Sequence, residues 1–480
     1  MMKKFDLVIV GGGAGMLVMD AALNHGLKCA IIEKDKFGGT CLTKGCIPSK
    51  MLVYPADFIR ETESAKRFGI IAQKPEIDWK AISSRMWEQI DFSKQIEERI
   101  KEMGNLTLFK GKGTFVSNKE MVIQYENGQA DEIIEGDRFV IATGAKSQVP
   151  KVQGLEETGY ITSEDFFGEQ YPEKPWKSLV IIGSGAISLE FAHIFSAFGT
   201  EVTMVARSER ILKKEDIDIA VFVHKQFLTN GINILTERDI VSVSREGGMK
   251  VVTVENRNTK ERNVIRCEEI LVASGSQSTA KDLGLKEAGL EADKDGWINT
   301  NEYLETNQPN IWAIGDVNGK YQFRHKANHE AQVVTHNLFS NEEKKQVNYH
   351  ATPWAIFTHP QVGRVGATEA ELIDQGIPYL TAKNYYSEVV GGRAMGFKNN
   401  DEDNGFVKVL VGHDKKILGV HIVGPQAATL TQPFVYLMNM EIKSDLRAYD
   451  VIDESMIIHP SLSELTAWVL GKIDLSQLQK

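Results

Sequence analysis

The chain of 480 residues carries 55 Lys+Arg against 65 Asp+Glu, a net charge of −10, with 42% hydrophobic residues. Its length is that of about three domains, and an acidic balance with no basic block excludes a nucleic-acid surface or an anionic-membrane partner. Apolar runs such as FDLVIV and SLVIIG are far short of a membrane span, a strand by Phe5 leaves no room for a signal peptide, and four cysteines suit a reducing compartment, so the cytoplasm is expected.

In chain order, residues 5 to 33 read as a strand FDLVIV, a glycine turn GGGAG, an Ala/Leu-rich helix to about Gly26 and a second strand CAIIE ending at Glu33. This is a βαβ unit. Gly11 and Gly13 permit a tight bend and close approach to a pyrophosphate lying on the helix N-terminus. Glu33, 22 residues after Gly11, is placed to accept the hydroxyls of an adenosine ribose. The pattern's third glycine is replaced by Met16, which predicts looser packing of the helix on its strand. A charged helix follows from about Trp79 to Met103, then short strands ending at FVIATGA. Residues 178 to 206 repeat the first arrangement as SLVIIG, GSGAIS, LEFAHIFSAFG and EVTMVA, with Gly183 and Gly185 in the turn, Ser188 at the third position and Glu190 two residues on. Two such units imply two dinucleotides. The strand EILVAS and the segment IWAIGDV read as a return to the first domain, making the second an insertion at about 150 to 276. From about 346 the pattern changes to WAIFTHP, GFVKVLV and ILGVHIVG, strands of an antiparallel sheet, with helices near 427 to 440 and 461 to 472.

Cys41 and Cys46, in GGTCLTKGCIPSK, close too small a loop to be useful as a staple, because that stabilisation grows with loop length. Reversible redox work suits the pair better, with a helix starting there to favour a thiolate; the alternative is two unrelated buried thiols. Just after a dinucleotide turn, the pair points to disulfide chemistry coupled to a flavin. Asp316, in IWAIGDVNG, is a candidate for flavin ribityl hydroxyls, or else a solvated turn aspartate. After EVTMVA, where NAD enzymes usually offer an acid to the ribose, stand Arg207 and Arg210. With Lys213 as a third cation they favour a 2′-phosphate and so NADPH, the alternative being ordinary solvated charges blurred by Glu209. In HPSLSEL, His459 and Glu464 form a carboxylate-held histidine, a competent acid-base for a thiol, although an isolated His-Pro is usually structural. His325 and His329 lie one helical turn apart, a spacing open to a metal. No further ligands cluster with them, so no metal is expected, and cofactor contact or helix packing is preferred.

The ordered set GGTCLTKGCIPSK, ATG ending at Gly144, GSGAISLE, AIGD from Ala313 and HPSLSE closely resembles the class I pyridine nucleotide-disulfide oxidoreductases, from about residue 5 to about 472. Within that family KMLVYPAD, the non-glycine at Met16, KANHEAQVVTHNLF, GPQAATLTQP and IIHPSLSE look most like mycothione reductase; IPSK and HPSLSE are also similar to dihydrolipoamide dehydrogenase. The resemblance implies an α/β fold of two Rossmann-like dinucleotide-binding domains, one inserted in the other, plus a C-terminal α+β dimerisation domain. The division is FAD-binding at 1–149 and 277–345, NAD(P)-binding at 150–276 and interface at 346–480. It also implies a homodimer using FAD and NADPH, with NADH as an option.

By that resemblance Cys41 would be the interchange thiol that attacks the substrate and Cys46 the thiol against the flavin, with Lys50 and Glu190 an ion pair beside the reactive flavin nitrogen. His459, backed by Glu464, would be a proton shuttle reaching across from the other subunit. FAD contacts are implied at Gly11, Gly13, Gly15, Glu33, Lys34, Gly39, Thr40, Lys50, Gly113, Thr143, Gly144, Asp316 and Ala327. Nucleotide contacts are implied at Gly183, Gly185, Ala186, Ile187, Arg207, Arg210 and Gly275.

Departures from the family narrow the substrate. Glutathione reductases hold their peptide with a serine and an arginine where this chain has Ala14 and Ala21, so glutathione is not expected. The chain ends DLSQLQK, without the extra redox centre of mercuric and large thioredoxin reductases, so neither Hg(II) nor thioredoxin is expected. Ala186 replaces the aromatic that covers the nicotinamide pocket, and GSQST from Gly275 replaces the usual GRxPN. With Met16, Leu17 and Ile458 near the substrate path, the expected substrate is an apolar dithiol or disulfide such as lipoamide, or a nonpeptidic low-molecular-weight thiol; a lipoyl-bearing protein would be a compatible partner. Two other readings stay open: a flavin oxidase or quinone reductase, and a redox-sensing flavoprotein subunit of a larger complex.

Overall fold

The computed structural model describes residues 2–476. FDLVIV is not one strand: Asp6 interrupts it, its carboxylate accepting the Lys28 N–H at 2.7 Å, so that Lys3–Phe5 and Leu7–Val10 join different sheets. Leu7–Val10 is central in a five-stranded parallel sheet ordered Ile311–Ala313, Phe139–Ile141, Leu7–Val10, Cys29–Ile32, Leu106–Phe109. Helices Gly15–Asn24 and Arg324–Phe339 cover one face through Val18, Met19, Val333 and Val334. The other face packs against the sheet built from Lys3–Phe5, Glu132–Gly136, Glu120–Gln124 and Lys112–Phe115. A parallel sheet covered on both faces needs strands that are apolar throughout, which is how these read.

A second parallel sheet runs Ile161–Thr162, Glu269–Val272, Ser178–Ile182, Glu201–Val205, Asn233–Leu235. The reading of EILVAS is corrected here: Glu269–Val272 pairs with Ser178–Ile182 and stays in the second sheet. Ile270, Leu271 and Val272 are buried on both faces and fit either parallel sheet equally well, so only the pairing decides. The chain leaves this sheet through Ser276–Ser278, which pairs antiparallel with Ala145–Ser147, and rejoins the first sheet at Ile311–Ala313. Ser276 stands where the GRxPN arginine is missing and donates to Gln322 Oε1 at 2.5 Å, while the next residue, Gln277, donates to the Ser147 carbonyl at 3.1 Å.

The C-terminal sheet is antiparallel, ordered Pro353–Ile356, Val362–Gly366, Ile417–Val423, Phe406–Gly412, Tyr379–Tyr385. Every residue of Phe406–Gly412 is buried, Lys408 included. Its ammonium lies on Asp216 at 2.9 and 3.0 Å, on Asp218 at 2.6 Å and on Glu369. These three acids are the one group among the described residues close enough to share a metal, and the Lys408 ammonium already sits among them, with Lys383 on Asp218 at 2.9 Å. Because Asp216 caps the helix Ile217–Thr229, the contact ties the C-terminal sheet to the strand-and-helix layer before it. Lys408→Met would leave the buried Asp216 carboxylate uncompensated and is expected to cost about 3–5 kcal/mol. A lower thermal midpoint of the holoprotein would show it; an unchanged midpoint would mean that the acids find other partners. No helix among the described residues is long and apolar enough to cross a membrane.

Candidate active site

One cleft of about 3370 Å³ runs from Glu33 past the cysteines to Arg207. That is several times a small-ligand pocket of roughly 300–1,000 Å³, the scale of two long ligands meeting end to end. Cys41 sits in the short helix Gly39–Thr43, and Cys46 opens the helix Cys46–Ser64. The Cys41 thiol donates a hydrogen bond to Cys46, which outweighs opposing burial; with the Lys50 ammonium it brings the Cys46 thiol down to about 7. Cys41, the donor in that bond and half-buried beside the developing thiolate, is pushed up. The pair therefore holds one proton on Cys41 and one negative charge on Cys46. Since only the thiolate reacts, iodoacetamide is expected to alkylate Cys46 of the reduced protein with a midpoint near pH 7, faster above it and slower below. A midpoint at about 8.5, that of an ordinary thiol, would contradict this geometry.

One turn along the same helix, Lys50 Nζ meets Glu190 Oε2 at 2.7 Å and Ser49 Oγ at 3.2 Å, 4.5 Å from the Phe357 ring centre. Glu190 Oε1 accepts the Phe357 N–H at 3.0 Å, so three segments fix one ammonium. Two further contacts bind this helix to Ala186–Ala197 in the same sense: Asp57 to buried His193 at 2.8 Å, and Arg60 to Ser196 at 2.8 Å. Sequence reasoning missed Asp57, Arg60, His193 and Ser196. Their signal was the spacing of three in Glu190, His193 and Ser196, one face of one helix.

Residues 5–331 match the pyridine nucleotide-disulphide oxidoreductase family, and residues 352–470 match its dimerisation domain. Over 481 residues the chain is 32% identical to a dihydrolipoyl dehydrogenase of Chlamydia pneumoniae, covering 98% of this chain and 97% of that one. Over 470 residues it is 31% identical to a mycothione reductase of Mycobacterium tuberculosis, covering 97% and 98%. The chain belongs to the pyridine nucleotide-disulphide oxidoreductases. The fold is also that of the HOCl-induced flavoprotein disulfide reductase RclA from Escherichia coli in a Cu(II) complex, with a TM-score of 0.85 at 24% identity over 98% of this chain and all of that one. This is an FAD-dependent disulfide oxidoreductase that uses NAD(P)H, and it carries the domain by which its family forms homodimers.

The residues fit the flavin nucleotide this family uses. A Cβ on Gly39 would come within 2.9 Å of the Gly13 Cα, so the two bare backbones form the tight end of the cleft. Glu33 accepts the Gly12 N–H at 2.6 Å and the Asp35 N–H at 2.7 Å, holding the glycine turn in place. Asn328 Oδ1 and His329 Nε2 are buried, unpartnered and on the cleft wall. Asp316 is also on the wall, its carboxyl pushed up by burial. Its turn, Gly315–Asn318, is clamped by a buried pair that sequence reasoning missed. Glu330 accepts the Gly315 N–H at 2.6 Å and a hydrogen bond from Tyr349, while Lys326 donates to the Gly315 carbonyl at 3.0 Å and to Asn318 at 2.7 Å.

Most predicted site residues line this one cleft, including Lys34, Thr40, Gly113, Thr143, Gly144, Ala327, Gly183, Gly185, Ala186, Ile187 and Gly275. Three do not. Gly15 faces inward, where a Cβ would lie 2.7 Å from Ile9 Cγ2 and 3.0 Å from Ala142 Cβ. It is therefore a packing glycine, and it supplies the close helix–strand approach that the pattern assigns to a glycine at position 16. His459 and Glu464 lie outside the cleft; their Nδ1–Oε1 contact is 2.5 Å, with the histidine side chain 64% exposed and the glutamate 1%. Arg210 lines the cleft, but its guanidinium donates to the carbonyls of Leu212, Lys213 and Glu215, which leaves Arg207 as the more available cation. The Nε2 of His325 meets the Pro353 carbonyl at 2.7 Å, and its ring stacks on Phe323, in line with helix packing. The tail DLSQLQK ends in residues 477–480, outside the described residues.

Proposed function

We propose that this oxidoreductase exchanges electrons between NAD(P)H and a small apolar disulfide or dithiol of the lipoamide or mycothione kind. The observation that carries the reading is the polarised cysteine pair, with Cys46 lowered and Cys41 raised beside the Lys50–Glu190 ion pair. FAD, when bound, supplies the two-electron relay between the nicotinamide and the cysteines. In the reducing direction Cys41 attacks one sulfur of the substrate disulfide, the S–S bond breaks, and the departing thiolate takes a proton. Cys46 then attacks Cys41, forming the Cys41–Cys46 disulfide and releasing the second thiolate. A thiol held as high as Cys41 needs a base to act as a nucleophile. His459 of the partner subunit suits that role, because Glu464 holds Nδ1 and leaves Nε2 to face outward. Tyr54 and Phe58 on the redox helix, and Met456 and Ile458 beside His459, are exposed apolar residues in keeping with coverage by a second copy.

The domain division 1–149 with 277–345, 150–276 and 346–480 is part of this reading, as are a cytoplasmic location and a lipoyl-bearing protein as the macromolecular form of the substrate. Oxidised lipoamide is expected to turn over faster than oxidised glutathione, because Ala14 and Ala21 offer a peptide no polar contact. The reverse order in a steady-state comparison would overturn the substrate assignment. Arg207, 77% exposed at the cleft wall, supports NADPH as the preferred nucleotide. Arg207→Glu is expected to weaken NADPH and spare NADH; equal effects would sink that preference. Exposed Ala186 and Ile187 support a second reading, electron transfer from the flavin to oxygen or quinones. Oxidase turnover surviving loss of both cysteines would establish it.

A further inference from the structure

The strand Glu201–Val205 ends without the acidic residue that would receive an unphosphorylated ribose, yet an acid stands there. Asp239, near the start of the strand Arg238–Glu246, reaches the same place from another segment. Two backbone hydrogen bonds set its register beside Arg207: Arg238 N–H to the Ala206 carbonyl at 3.0 Å and Glu237 N–H to the Ser208 carbonyl at 2.9 Å. Asp239 Oδ1 accepts from Arg207 Nε at 2.9 Å, and Oδ2 lies 3.3 Å from Arg257 Nε. Arg257 also donates to the Arg207 carbonyl at 3.2 Å. Arg207 and Asp239 both line the nucleotide end of the cleft.

We propose that Asp239 is the specificity-determining residue that tempers the preference for NADPH and lets the enzyme accept NADH. The inference deepens, and rests on, the reading of Arg207 as the 2′-phosphate contact. A ribose 2′,3′-diol offers donors, for which a carboxylate is the matching acceptor; a 2′-phosphate offers oxygens, for which a guanidinium is the match. In this protein the two readers neutralise each other. A diol takes Oδ1 of Asp239 in place of Arg207. A 2′-phosphate draws Arg207 off that oxygen, and Arg257 stays on Oδ2 to offset the carboxylate that would otherwise repel the phosphate. The exposure of Arg207 leaves it free to make the exchange, which the carbonyl-bound Arg210 cannot share.

The test is calorimetric titration of the holoenzyme with ADP-ribose and with its 2′-phosphate, alongside kcat/KM for NADH and NADPH. In Asp239→Ala the phosphorylated ligand is expected to bind roughly two- to fivefold tighter, the value of an exposed ion pair released. The unphosphorylated ligand is expected to bind about tenfold weaker, the loss of a charge-assisted hydrogen bond. Asp239→Asn, which drops the charge and keeps an acceptor, is expected to reproduce the gain with little of the loss. Shifts of the same sign for both ligands, or none for either, would overturn the role of Asp239. Arg207→Glu run in parallel separates the two readings. If it weakens only the phosphorylated ligand while Asp239→Ala does not split the pair, the Arg207 reading stands and the Asp239 inference falls. If Arg207→Glu affects both ligands equally, the underlying reading has failed.

Discussion

Replacing Cys46 by serine is expected to lower NAD(P)H-driven disulfide turnover by on the order of 10⁴-fold or more, the scale of losing one member of a catalytic unit that acts together. A hydroxyl does not ionise near neutrality, so the negative charge that the Cys41 hydrogen bond and Lys50 stabilise disappears. It also cannot close a disulfide with Cys41, so a mixed disulfide formed there would stay unresolved. Cys41→Ser is expected to stop turnover equally but to leave Cys46 ionised near pH 7, because a serine hydroxyl can still donate the hydrogen bond. Substantial turnover in Cys46→Ser, with lipoamide as acceptor, would remove the cysteine pair from the electron path.

His459→Ala is expected to reduce kcat/KM for the disulfide by about 10²–10⁴-fold, the usual worth of a positioned acid-base. Nucleotide-driven reduction of the protein's own disulfide should be unaffected. Within one chain His459 lies outside the cleft that holds Cys41, and the proposed role has a second copy present it to the cysteines. Mixing tests this. Cys41→Ser and His459→Ala homodimers are each expected to be inactive, but a heterodimer would contain one site with both groups intact and so regain activity. If both groups acted within one chain, every site in the heterodimer would lack one of them, and mixing would restore nothing.

Much of the fold was legible because its strands are short apolar runs bounded by glycine. The charged helix read as about 79 to 103 is Trp79–Glu102, and the helix read as about 427 to 440 is Ala427–Lys443. What was not legible follows from physics that acts across the chain. Glu269–Val272 is apolar on both faces and carries no mark of which parallel sheet receives it. The split in FDLVIV depends on a hydrogen bond between Asp6 and Lys28, 22 residues apart. At the site, residue type and spacing pointed to Cys41 and Cys46, while the roles of Lys50 and Glu190 came from the family resemblance. The residues that hold the redox helix and the Asp316 turn, His193 against Asp57 and Lys326 against Glu330, are ordinary helix side chains until burial pairs them. The i,i+4 spacing of Lys326 and Glu330 and the spacing of three in Glu190, His193 and Ser196 were the hints. Asp239 was invisible because it reaches the end of Glu201–Val205 from a strand more than 30 residues later.

An anaerobic titration of the holoenzyme with NADPH, following the visible spectrum, tests the central claim most directly, because nucleotide, flavin and cysteines must all work for one signal to form. The polarised pair predicts a long-wavelength band from the Cys46 thiolate against the flavin at two-electron reduction, absent in Cys46→Ser and retained in Cys41→Ser. Bleaching of the flavin with no such band in the wild-type protein would contradict the account and place Cys41 and Cys46 outside the electron path.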